Sequence, residues 1–126
     1  MMKEKKEIRA VFFDIDGTSY QHNIHDVPFS TYEALEQMKK KGIKLGACTS
    51  RVNAEMVHLP KRFTSLLDGI ITCAGAMIEA DGKNIQTHYV PFEDAKRIQQ
   101  YCKEQKIVLR WATAENDCCI DHWDDE

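Results

Sequence analysis

The chain has no long apolar run, no paired-cysteine motif and no surplus of basic charge, and each absence closes off a class of function. No apolar stretch approaches the length that crosses a bilayer, and the charged start lacks the apolar core of a secretory signal. Neither a membrane-embedded nor a secreted protein is expected. The 5 cysteines are odd in number and form no CxxC pair, and three lie inside apolar segments where a thiol acts as a small hydrophobe. That usage predicts reduced cysteines and a cytoplasmic location, not a disulfide framework. Net charge is −3, and Lys3, Lys5, Lys6 and Arg9 alternate with Glu4 and Glu7, so no basic arm is available for nucleic acid. No internal repeat and no low-complexity linker divides the 126 residues, a length that suits one domain.

What is there reads as alternating strands and helices. Ile8 to Phe13 is a short apolar run rich in Val, Ile and Phe, which favours a buried strand. It ends on Asp14-Ile15-Asp16-Gly17-Thr18, and residues 19–29 read as loop. Ser30-Thr31-Tyr32-Glu33 has the form of a capping box, followed by Leu35 and Met38 at helical spacing and a stop at Gly42. Ile43 to Cys48 predicts a second strand, Asn53 to Leu59 a short helix stopped by Pro60, and Gly69 to Cys73 a third strand. That order implies βαβ units and a parallel sheet. Asp81-Gly82 between two apolar segments predicts a hairpin. Pro91 opens a helix with Phe92, Ala95, Ile98 and Cys102 as its expected inner face, and Ile107 to Trp111 predicts one more strand. The acidic end from Ala114 carries no clear assignment.

The chemistry sits at Asp14 and Asp16. In an open parallel sheet, ligands bind beyond the carboxyl ends of the strands, and Asp14 lies at such an end. Gly17 lets the chain turn there and approach a ligand closely. Two carboxylates this close repel unless a proton or a cation separates them, and a hard ion such as Mg²⁺ suits oxygen ligands. One carboxylate is then placed to attack phosphorus, and the other to move protons. A plain turn with solvated carboxylates is an equal reading of the motif taken alone. An EF-hand is excluded because Gly17 comes too early and His25 stands where the bidentate Glu belongs. The Asp-x-Asp metal site of a nucleotide-sugar transferase stays open.

Val11-Phe12-Phe13-Asp14-Ile15-Asp16-Gly17-Thr18 resembles motif I of the haloacid dehalogenase superfamily, and Thr49-Ser50-Arg51 resembles its motif II, usually Thr-Gly-Arg. Asp68-Gly69-Ile70-Ile71-Thr72-Cys73-Ala74-Gly75-Ala76, followed by Asp81-Gly82-Lys83, resembles the Cof-type branch, where Asn-Gly-Ala is usual and Ala74 here replaces the Asn. The resemblance implies an α/β fold: a Rossmann-like core, its N-terminal half at residues 1–80, then a hairpin and the start of an α+β cap at residues 81–126. It implies an Mg²⁺-dependent phosphomonoester hydrolase acting on small phosphorylated metabolites such as sugar phosphates. Asp14 would be the nucleophile and Asp16 the general acid/base. Asp14 and Asp16 would also hold the metal, the latter by its backbone carbonyl. Thr49 would hold the transferring phosphoryl group, with Gly17, Ser50 and Arg51 beside it, although Arg51 suits a structural salt bridge equally.

The family's motif III Lys and its acidic Gly-Asp-Gly loop, motif IV, do not occur in the sequence. The expectation is therefore a truncated chain whose site is incomplete. The alternative is an inactive remnant or an assembly module. The motif I strand is expected to form an exposed sheet edge, open to pairing with a second copy. Cys118, Cys119 and His122 match no standard zinc spacing, His22 and His25 read as ordinary loop residues, and Trp111 reads as core.

Overall fold

The computed structural model describes residues 6–113 and 118–123. Its main sheet has five strands in the spatial order β1-β2-β3-β4-β5: β1 Ala10–Asp14, β2 Lys44–Cys48, β3 Gly69–Thr72, β4 Met77–Ala80 and β5 Lys83–Thr87. The first three run parallel, and β4 and β5 add to them antiparallel. The α/β expectation holds, in a sheet that is mixed. Helices α1 Phe29–Lys40, α2 Asn53–Met56 and α3 Lys61–Thr64 fill the connections between the parallel strands. Helix α4 Phe92–Glu104 leads into a separate two-stranded sheet, β6 Leu109–Ala112 with β7 Cys118–Asp121.

Alternation along the strands decides the core. Val11 and Phe13 pack against a cluster that includes Ile15, Tyr32, Leu35, Leu45, Ala47 and Phe63, while Phe12, one residue out of phase, stays 64% exposed. Phe63 is fully buried, and its ring lies 6.2 Å from that of Phe13. Asp68 ties the layer together: it accepts from Leu45 N at 2.9 Å and from Lys39 Nζ at 3.0 Å, joining the end of α1 to β2. The leading backbone bond and the nearby lysines hold its carboxyl below the usual carboxylate range, against the opposing effect of burial.

The other sheet face carries Phe12, Ile71, Ile78 and Ile85 around an apolar cavity of about 360 Å³. Strand β1 is the edge of the sheet, as expected, so among the described residues one row of its backbone groups has no strand partner. The Asp81-Gly82 turn is a two-residue hairpin with φ of 50° and 72°, the geometry that selects this pair.

Three local expectations need correction. Helix α1 starts at Phe29 with Pro28 as its N-cap and no side-chain cap, so Ser30 lies inside the helix and its capping box does not form. The fixed φ of Pro28 sets the helix entry, and the Pro28 carbonyl takes Thr31 N and Tyr32 N. The helix from Asn53 ends at Met56, and Pro60 caps a new short helix instead of merely ending the old one. Of the expected inner face of α4, Cys102 alone is buried; Phe92 is 74% exposed and Ile98 is also open. Cys118 to Asp121, left unassigned by pattern, is strand β7.

Candidate active site

Asp14 closes β1 and pairs across the parallel ladder with Cys48, so Thr49 begins the next loop immediately beside it. Both loops leave the carboxyl edge of the sheet. After Asp14 the chain folds into a tight turn in which Ile15 O accepts from the amides of Thr18, Ser19 and Tyr20. Gly17 sits at φ +76°, a left-handed conformation with no atom near a would-be Cβ. Ser19 Oγ donates to Asp14 O at 2.8 Å and fixes the strand end. The Asp14 side chain is exposed and free to meet a ligand.

Asp16 is in a different position. Arg51 grips it with both arms: Nε donates to Oδ2 at 2.8 Å and Nη2 to Oδ1 at 2.7 Å. His22 Nε2 lies 3.0 Å from the same Oδ1. The Arg51 hydrogen bond holds the Asp16 carboxyl below its usual range, His22 adds to the effect, and burial opposes it. Asp16 thus rests ionised at neutral pH. Arg51 is further fixed by Nη1 to Glu55 O at 3.0 Å and lies over the buried Tyr20 ring, 5.5 Å from its centre.

Thr49 is buried, and its Oγ1 accepts from Arg51 N at 3.0 Å, which sets its rotamer. Ser50 is exposed between them. The structure therefore brings Asp14, Asp16, Gly17, Thr49, Ser50 and Arg51 to one edge of the sheet. Arg51 takes the salt-bridge role that the sequence left open. His22 is not an ordinary loop residue: Asp16 and Tyr20 orient it, the latter by an edge-on ring contact at 5.2 Å. His25 has the positive φ of a turn residue. Glu55 was not singled out either, and its helical spacing of four from Arg51 was the one signal available. Trp111 is half-buried, with Nε1 donating to Asp121 at 2.9 Å.

Among the described residues no group of three or more His, Cys, Asp or Glu converges to hold an ion. The Asp16 side chain is already engaged by Arg51 and His22, so its contribution to a metal would be its backbone carbonyl. Asp14 with one carbonyl is a small set of hard oxygen donors. That set fits Mg²⁺, which keeps several waters and takes one or two carboxylates together with substrate phosphate. A second cavity of about 450 Å³ lies near the site, bounded by Cys73, Met77, Tyr89, Ile98, Leu109 and Trp111. Cys73 N donates to Arg51 O at 2.8 Å, which sets this cavity against the motif II loop.

No helix among the described residues is long and apolar enough to cross a membrane. A family model described as haloacid dehalogenase-like hydrolase matches residues 11–125. Among solved structures, a subclass IIB sugar phosphatase of the HAD superfamily is 31% identical, with a TM-score of 0.74, over 89% of this chain and 43% of that one. A HAD phosphatase of Bacteroides thetaiotaomicron is 20% identical and shares the fold at a TM-score of 0.81, over 98% of this chain and 46% of that one. A Mycoplasma genitalium protein whose phosphatase name is provisional is 33% identical over 88 residues, 59% of this chain and 30% of that protein. The chain thus spans less than half the length of these relatives. With a family model matching nearly its whole length, the chain belongs to the haloacid dehalogenase-like hydrolases.

Proposed function

We propose that this chain carries the nucleophile half of a phosphomonoester hydrolase that acts on small phosphorylated metabolites of the sugar phosphate kind. The observation that carries the reading is the exposed Asp14 at the carboxyl end of β1, with Asp16 on the following turn and Thr49 on the neighbouring loop. Asp14 would attack phosphorus through a carboxylate oxygen, forming an acyl-phosphate bond while the bond to the leaving oxygen breaks. Asp16, which Arg51 holds ionised, would first take up a proton from solvent, pass it to that leaving oxygen, and then take one from the water that attacks phosphorus and frees Asp14. Thr49, with its rotamer set by Arg51 N, would direct its hydroxyl hydrogen to a phosphoryl oxygen, and Gly17 and Ser50 would border the same group. Mg²⁺, held by Asp14 and the Asp16 carbonyl, would offset the charge between carboxylate and phosphate. Arg51 would hold Asp16 in place. Residues 1–80 would form the core half, and residues 81–126 a hairpin and the start of a cap. The membership of the family and the likeness to a sugar phosphatase support this reading.

The test is Mg²⁺-dependent hydrolysis of an aryl phosphate by the purified chain beside Asp14→Asn. Turnover that requires metal and vanishes in the variant supports the proposal. Turnover that the variant retains, or none above background, replaces it with a non-catalytic binding or assembly role.

A further inference from the structure

A run of polar contacts connects the second sheet to Asp16. Arg110, on β6, donates through Nη1 to Glu55 Oε1 at 3.0 Å. The other oxygen of Glu55, Oε2, accepts from Val52 N at 3.2 Å, which holds the carboxylate over the first turn of α2. The backbone carbonyl of the same Glu55 takes Arg51 Nη1 at 3.0 Å. The remaining arms of Arg51 grip both oxygens of Asp16. Arg110 and Glu55 lie far apart in sequence, one on β6 of the second sheet and the other on helix α2, so their contact is tertiary. Arg110, before any other partner, holds the Glu55 carboxyl below its usual range.

The geometry gives this run a direction. A guanidinium is planar, with donors in a fixed fork, so three acceptors on Arg51 define the plane in which Asp16 is held. Two of those acceptors belong to Asp16 itself, and the third is the Glu55 carbonyl. Moving the first turn of α2 therefore tilts the fork and turns the Asp16 carboxylate with it. Glu55 is the point where that turn is held from outside, by Arg110.

We propose that Glu55 is a positioning residue for Asp16, acting through Arg51, and that Arg110 of the second sheet sets Glu55, so that docking of that sheet adjusts the acid/base carboxylate. The proposal deepens the phosphohydrolase reading and rests on it for the role of Asp16. It also makes a structural claim that stands without turnover: residues 51–55 are held more firmly when Arg110 is in contact.

The experiment compares the full chain with Arg110→Ala, Arg110→Lys and Glu55→Gln by hydrogen exchange and by steady-state hydrolysis of an aryl phosphate in MgCl₂. All the changes fall on partly exposed side chains, and thermal melts confirm that each variant is folded. Glu55→Gln keeps an oxygen for Val52 N and removes the ion pair. Arg110→Ala is expected to raise exchange across residues 51–55 about threefold or more, with Arg110→Lys restoring most of the protection. In turnover, Arg110→Ala and Glu55→Gln should lower kcat about 3- to 10-fold with KM nearly unchanged, and the double variant should be no worse than either alone. Faster exchange confined to β6 and β7, with residues 51–55 unchanged, would overturn the proposal and leave Arg110 a local surface contact. Equal loss in Arg110→Lys and Arg110→Ala would also overturn it. If wild type shows no turnover, the phosphohydrolase reading fails, and the exchange arm still decides whether the contact reaches Arg51.

Discussion

Helices α1 and α4 have 12 and 13 residues and carry apolar side chains at helical spacing, yet they sit in the molecule quite differently. Tyr32 and Leu35 of α1 are buried against Leu45 and Phe63, whereas Phe92, Ile98 and Tyr101 of α4 face outward. The first region is held by a packed core. The second is held largely by polar contacts near the surface: Trp111 Nε1 and Gln99 Nε2 both donate to Asp121, and Trp123 Nε1 donates to Ile107 O. An amphipathic pattern specifies which face of a helix can be buried, and the neighbouring elements decide whether it is.

The sharpest way to test that contrast is to remove one phenylalanine from each region. Phe63→Ala deletes a fully buried ring and its contact with Phe13, and should cost about 3–5 kcal/mol. Phe92→Ala removes a ring that is mostly in water, and should change stability by less than about 0.5 kcal/mol. Denaturant melts of the two variants measure both. Similar losses would mean that α4 is packed as firmly as the core beneath α1.

Asp68 offers the next largest effect, because its part-buried carboxylate fastens α1 to the sheet, whereas the carboxylate that takes Gln99 of α4, Asp121, does so at the surface. Asp68→Asn weakens the bonds to Lys39 and Leu45 N, and should cost about 1.5–3 kcal/mol at neutral pH. The folded pKa lies below the unfolded value of about 3.9, so the contribution is present above that value and fades as pH falls through the folded pKa. The stability gap between wild type and Asp68→Asn should be flat above about pH 5 and should close below about pH 4. A gap that widened on acidification would rule out the carboxylate as its source.

Tyr32 probes the same helix more gently. Its hydroxyl donates to Asp26 Oδ1 at 3.0 Å, and burial together with Asp26 pushes its pKa up to about 12. Tyr32→Phe keeps the packed ring and its contact with Arg62, so the loss should be about 1 kcal/mol. A spectrophotometric titration should show one tyrosine ionising later than the rest, and that late phase should be missing in Tyr32→Phe.

The sequence was legible where local chemistry and tertiary demand agree. The strands at Val11, Leu45 and Ile70, and the Asp81-Gly82 turn, follow from short apolar runs and a dipeptide suited to left-handed φ. That Asp14 and Thr49 lie side by side was readable because they close neighbouring predicted parallel strands. The capping box at Ser30 misled because Pro28 had already fixed the helix entry. The grip of Arg51 on Asp16, the approach of His22 and the Arg110–Glu55 contact were not readable. Each joins residues whose separation in sequence carries no period, and side-chain direction decides them.

Backbone strain provides the smallest contrast, between the hairpin tip and the loop after β3. At the tip, left-handed φ falls on Asp81 and Gly82, residue types that tolerate it. After β3 it falls on Cys73, Ala74 and Gly75, with Ala74 at φ 52° and ψ 33°. Alanine has no side-chain group to offset that conformation, whereas glycine adopts it freely and asparagine enters it far more often than most residues. Ala74 is exposed, so a replacement side chain meets solvent, and its amide bond to Thr49 O at 3.1 Å is kept. Ala74→Asn should therefore stabilise the chain by about 0.5–1 kcal/mol, and Ala74→Gly by less because it also loosens the unfolded chain. Thermal melts should place the melting temperature in the order Asn, Gly, wild type. If both variants melt below wild type, the left-handed turn costs the alanine nothing, and the loop beside Thr49 is held by its hydrogen bonds rather than against strain.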